Sequence, residues 1–124
     1  MRNLSRFTPD ACREMALPLV RDLLGSGRSV RLAACGWSMR PFLRDGDVVE
    51  IAPATISGLR RGDVAAVAAS PDEDAGPGSE DDLIVHRFVR REGARLVLQG
   101  DACPAPDAPV PESALLGRVV VRER

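Results

Sequence analysis

Apolar residues change their spacing once along this chain, near residue 27. Before it, Met15, Leu19 and Leu23, and beside them Ala16, Val20 and Leu24, recur every three or four positions, the period of an amphipathic helix. Thr8 is placed to cap that helix, and Pro9 suits its first position because the ring presets φ. Pro18 interrupts the pattern, predicting a kink or a split, and Gly25-Ser26-Gly27 ends it. After residue 27 the period falls to two. Val30, Leu32 and Ala34 alternate with polar neighbours and predict a half-buried strand running into Gly36. Further strands are expected at Val48, Val49 and Ile51, at Val64 to Ala69, at Leu83 to Arg91, at Arg95 to Gln99 and at Gly117 to Arg122. Glu92-Gly93-Ala94 is the turn of a hairpin, and Pro104 to Pro111 is proline-punctuated coil. Residues 70–82, turn-rich and acidic, read as a mobile surface loop. The expectation is one compact, mainly β domain: a helical segment over 1–27, then a folded-over sheet or partial barrel over 28–124.

Composition narrows the function classes. A chain of 124 residues suits a single core. All seventeen cations are arginine, but eighteen carboxylates are interspersed with them and no basic stripe stands out, so nothing argues for nucleic acid. Cys12, Cys35 and Cys103 are odd in number and widely spaced, which fits neither a disulfide framework nor a zinc site. They suit a reducing, cytoplasmic setting, and Cys35 and Cys103 are expected to be buried structural thiols. No apolar run approaches the length needed to span a bilayer, so a soluble protein is expected, with no metal or cofactor implied.

The candidate chemistry lies in three segments: Gly36-Trp37-Ser38-Met39-Arg40-Pro41, Val85-His86-Arg87, and Gly100-Asp101 with Asp107. The chain contains no lysine and one histidine. His86 is therefore the one ordinary side chain able to take a proton from a serine near neutral pH. A serine hydroxyl is a weak nucleophile unaided, and the imidazole needs its second nitrogen held, ideally by a carboxylate. Gly36 would allow close backbone approach, and main-chain N–H groups around Ser38, including those of Trp37 and Met39, would receive an oxyanion. Taken singly the parts are bland. Ser38 reads as a turn serine, His86 shares the buried strand face of Ile84 and Phe88, and Asp101 follows glycine as Asp47 and Asp63 do in turns.

The order Gly-x-Ser-Met-x-Pro, Gly-Asp-Val-Val, Gly-Asp-Val, Val-His-Arg, Gly-Asp-x-x-x-x-x-Asp and Leu-Gly-Arg-Val resembles the signal peptidase and LexA-like serine peptidase superfamily. The likeness runs from about residue 30 to 121 and falls on the serine–histidine branch, of archaeal and endoplasmic-reticulum type. That resemblance implies a β-rich peptidase binding its substrate as an extended strand, with Ser38 as nucleophile and His86 as general base. It implies Asp107 as the acid, with Asp101 supporting the site or taking that role. Three departures stand beside it: no membrane anchor precedes the serine motif, Gly-Asp-Asn-Asn reads Gly100-Asp101-Ala102-Cys103, and Trp37 replaces a small residue. Two functions follow. One is a soluble serine endopeptidase acting on a peptide or leader segment. The other is a peptidase-like module that binds an extended peptide at a sheet edge without hydrolysing it.

Overall fold

The structure, a computed structural model, describes residues 10–33, 39–44, 46–69 and 82–123, the side chains at 10–16, 69 and 82 excepted. Helix α1 spans Asp10–Gly25. It runs unbroken through Pro18, which is exposed, so the expected split does not occur. Its end is a Schellman motif: the Gly27 amide donates to Leu24 O at 3.1 Å and the Arg28 amide to Leu23 O at 2.9 Å. Gly27 takes φ 87°, which an L side chain rarely adopts. Leu17, Val20 and Leu24 are buried, whereas Leu19 is 59% exposed. Of the two overlapping stripes in the sequence, the one containing Val20 and Leu24 faces the sheet. The expectation for Leu19 is corrected by helix geometry: at about 100° per residue, Leu19 points away from the direction shared by Leu17, Val20 and Leu24.

Seven strands follow: β1 (Val30–Ala33), β2 (Val48–Pro53), β3 (Val64–Ala69), β4 (Asp82–Glu92), β5 (Arg95–Gln99), β6 (Val110–Pro111) and β7 (Leu115–Glu123). They form one curled antiparallel sheet in the order β1-β2-β7-β3-β4-β5-β6, with short 3₁₀ turns at Ile56–Gly58 and Glu112–Ala114. The expected mainly β architecture is therefore present, a half-barrel with one helix. Irregular register at Glu50/Ile51, Ala66/Val67 and Phe88/Arg90 accompanies the curl, since a bulge bends and twists its strand. The expected loop at 70–82 lies almost wholly outside the described residues.

Both faces of the central strands are covered, so β3 reads Val-Ala-Ala-Val-Ala-Ala without a polar residue. On one face Val64, Ala66, Leu83 and Val85 join Val49, Ile51 and the helix residues in a first apolar cluster. On the other, Ala65, Val67, Ile84 and Phe88 pack with Leu59, Leu96 and Leu98 in a second. Strand β7 joins the two halves of the sheet, pairing with both β2 and β3. A Cβ on its Gly117 would lie 2.3 Å from Ala52 O and 2.8 Å from Ile51 Cγ2, so only glycine fits that crossing.

Candidate functional site

Alternation along β4 sends Leu83 and Val85 to one face and Ile84 and Phe88 to the other, placing His86 on the second face and Arg87 on the first. His86 pairs across the sheet with Ala65, whose small side chain leaves room for the imidazole ring. The residue is 1% exposed, as its alternation with Ile84 and Phe88 implied. His86 Nδ1 is in direct hydrogen-bond contact with Asp107 Oδ2. A carboxylate oxygen accepts, so Nδ1 is the donor in this contact. Asp107 is held there by its own amide, which donates to Leu98 O at 2.8 Å beside β5.

Asp101, the other candidate acid, faces Arg87. Two parallel bonds join them, Nε to Oδ1 at 2.8 Å and Nη2 to Oδ2 at 2.7 Å. This pairing, above all its hydrogen bonds, raises the Arg87 guanidinium above its ordinary range, and its charge is permanent. Arg87 also donates from Nη1 to Gly62 O at 2.7 Å and stacks over the Phe42 ring, 5.0 Å from its centre. The Asp101 amide donates to the Met39 sulfur at 3.4 Å. Thus the segment following Ser38, the strand carrying His86 and the loop from Asp101 to Asp107 meet around one guanidinium.

The Gly-Asp turns behave differently from one another. Asp47 and Asp63 do what turn aspartates do, accepting the amides of Arg44 at 2.9 Å and Arg60 at 2.8 Å. Asp101 instead turns its carboxylate outward onto Arg87. Cys103 is half-buried and free. Burial pushes its thiol pKa up, and the nearby negative charge of Asp107 pushes it further. Its carbonyl accepts Gln99 Nε2 at 2.9 Å, which ties the 100–107 loop to β5.

The Met39 side chain is buried in the first cluster, and Leu43 N donates to Met39 O at 2.8 Å, closing one turn after the serine motif. Gly36, Trp37 and Ser38 lie outside the described residues, as does Cys35. The side chain of Cys12 does too. Sequence reasoning missed Arg87 as the organiser of the site. Its only signal was the adjacency in Val85-His86-Arg87, which does not disclose that residue 101 returns to it. Arg122 was missed as well: it donates to Phe42 O at 3.0 Å and lies over the same ring at 5.2 Å.

Among the described residues no cluster of His, Cys, Asp and Glu is arranged to hold a metal ion, and no helix is long and apolar enough to cross a membrane. No family model, curated protein or solved structure matches this chain.

Proposed function

We propose that the chain is a cytosolic serine endopeptidase that cleaves a peptide or leader segment bound in extended form. The observation that carries this reading is the contact between His86 Nδ1 and Asp107, a carboxylate held to a strand-borne imidazole by its own backbone. With Nδ1 donating to Asp107, Nε2 is the basic nitrogen.

In this mechanism the Ser38 hydroxyl proton passes to His86 Nε2 as Oγ bonds to the scissile carbonyl carbon. The carbonyl oxygen becomes an oxyanion, received by main-chain N–H groups of the serine segment. Collapse breaks the C–N bond, and the leaving amine takes the proton from Nε2. Water then gives a proton to His86 and attacks the Ser38 ester, releasing the acid and returning the proton to Oγ. Asp107 orients the ring throughout and stabilises the imidazolium, while Asp101 acts through Arg87 to hold the loop.

A serine-reactive fluorophosphonate tests this directly. The chain should be labelled, whereas Ser38→Ala and His86→Ala should not, and Asp107→Asn should slow labelling by roughly 10⁴-fold. Equal labelling of wild type and Ser38→Ala would sink the mechanism.

A second reading, a peptide-binding module without hydrolysis, draws on the burial of His86, whose side chain is 2% exposed. It expects no labelling at all, with peptide affinity indifferent to Asp107→Asn.

A further inference from the structure

Arg40 and Arg44 stand in the turn that follows Ser38 and Arg122 is bonded to it, and among the described residues none of the three is in an ion pair with a carboxylate. Arg40 and Arg44 stand two positions to either side of Phe42, so their Cα atoms lie within about 7.6 Å of its Cα. Arg122 reaches in from β7, its Nη1 donating to Phe42 O at 3.0 Å. All three are exposed.

The neighbouring carboxylates are engaged elsewhere. Asp101 is held in the two-bond fork of Arg87. Asp107 is on His86. Glu123, next to Arg122 in sequence, pairs with Arg31 at 2.6 Å. Glu50 faces the same Arg31 at 3.7 Å. Asp47 is buried and accepts the Arg44 amide rather than its guanidinium. Like charges carried at one turn favour an anion among them.

We propose that Arg40, Arg44 and Arg122 form a specificity site for an acidic side chain of the extended peptide substrate, at the chain segment that follows Ser38. The inference rests on the peptidase reading, and it adds the substrate class: peptides with Asp or Glu near the scissile bond. Arginine suits this task because its planar fork meets a carboxylate with two parallel hydrogen bonds. Arg122 is preorganised for it, since its Nη1 bond and its place over the Phe42 ring fix the guanidinium before any ligand arrives.

The test uses the full chain and extended decapeptides in which Glu, Gln or Lys is stepped through every position. Binding is read by fluorescence anisotropy with Ser38→Ala, and cleavage with the wild type. Glu should bind about tenfold more tightly than Gln at one or two positions, because an exposed ion pair is worth a factor of roughly two to five and three guanidiniums share the carboxylate. That preference should shrink as salt screens the field. Arg40→Glu and Arg44→Glu should turn the preference toward Lys, while Arg44→Lys should keep it for Glu. Arg122→Lys keeps the charge but loses the stacking, so it should retain the sign of the preference at reduced size.

Equal affinity for Glu and Gln at every position, or no peptide binding, would overturn the inference. Displacement of the Glu peptide by a neutral-sequence single-stranded oligonucleotide at lower concentration would overturn it too, pointing to nucleic acid instead. Charge-selective binding without cleavage by the wild type would uphold the acidic-peptide site and refute the peptidase reading. Cleavage indifferent to Glu would do the reverse.

Discussion

Arg87 and Asp101 are joined by two parallel hydrogen bonds of 2.8 and 2.7 Å, and through them the strand bearing His86 is tied to the loop bearing Asp107. His86 and Arg87 are sequence neighbours on opposite faces of β4. The imidazole takes the far end of the 101–107 loop and the guanidinium takes its near end. The loop is thereby pinned at both ends to one strand. Replacing Arg87 by Lys keeps the charge but loses the fork and its stacking on Phe42. We expect a loss of about 1–2 kcal/mol, since the pair is only partly buried. Thermal unfolding should show a fall of about 4 °C per kcal/mol. A double-mutant cycle with Asp101→Asn should give a coupling near 1 kcal/mol. A coupling of zero would mean that the fork does not hold the loop.

The Cys103 thiol provides a pH-dependent reporter of the same loop. Its pKa is raised by burial first and by Asp107 next, so at any pH below that raised value less thiolate is present than in the unfolded chain. The thiolate is the reactive form. Peptide-resolved alkylation by iodoacetamide at pH 8 should therefore be slower at Cys103 in the folded protein, and the deficit should close as pH climbs. Removing a negative charge lowers the pKa, so Asp107→Asn should speed alkylation, and by more than Asp101→Asn does. The reverse order would show that Asp107 is not the carboxylate facing the thiol.

Gly117 is where β7 passes between β2 and β3, and its missing side chain leaves space for Ala52 O and Ile51 Cγ2. Gly117→Ala would put a methyl group 2.3 Å from a carbonyl oxygen that belongs to the sheet. We expect destabilisation of about 3 kcal/mol, the upper part of the overpacking range, measured by urea denaturation. A change under 0.5 kcal/mol would show that the strands separate there at little cost.

The helix offers a paired test of which stripe is buried. Val20 is 2% exposed and Leu19 is 59% exposed. Val20→Asp should cost about 3 kcal/mol or more, because it places a carboxylate in an apolar cluster. Leu19→Asp should change stability by less than about 1 kcal/mol. Circular dichroism melts of the two variants decide it, and similar losses from both would contradict the observed packing of α1.

The sequence by itself determined the elements of this protein. Periods of two and of three to four, punctuated by Gly-Asp turns and prolines, are local properties of the chain, so strands β1 to β5, β7 and the single helix were legible as written. The burial of His86 was legible for the same reason, because alternation with Ile84 and Phe88 needs no knowledge of distant residues. What only the tertiary structure decided are the partnerships. Two neighbouring stripes on α1 are one residue, about 100°, apart, and the choice against Leu19 was made by the sheet the helix packs on. Asp101 and Asp107 are both aspartates in one coil, and spacing alone did not separate them. Their assignment follows from where β5 leaves the chain: the Asp107 amide is caught by Leu98 O, while Asp101 is caught by Arg87. Arg87, Phe42 and Arg122 are 80 residues apart at their extremes in the hydrogen bond from Arg122 to Phe42. A side-chain contact across such a separation is set by strand order and register, which the folded sheet as a whole imposes.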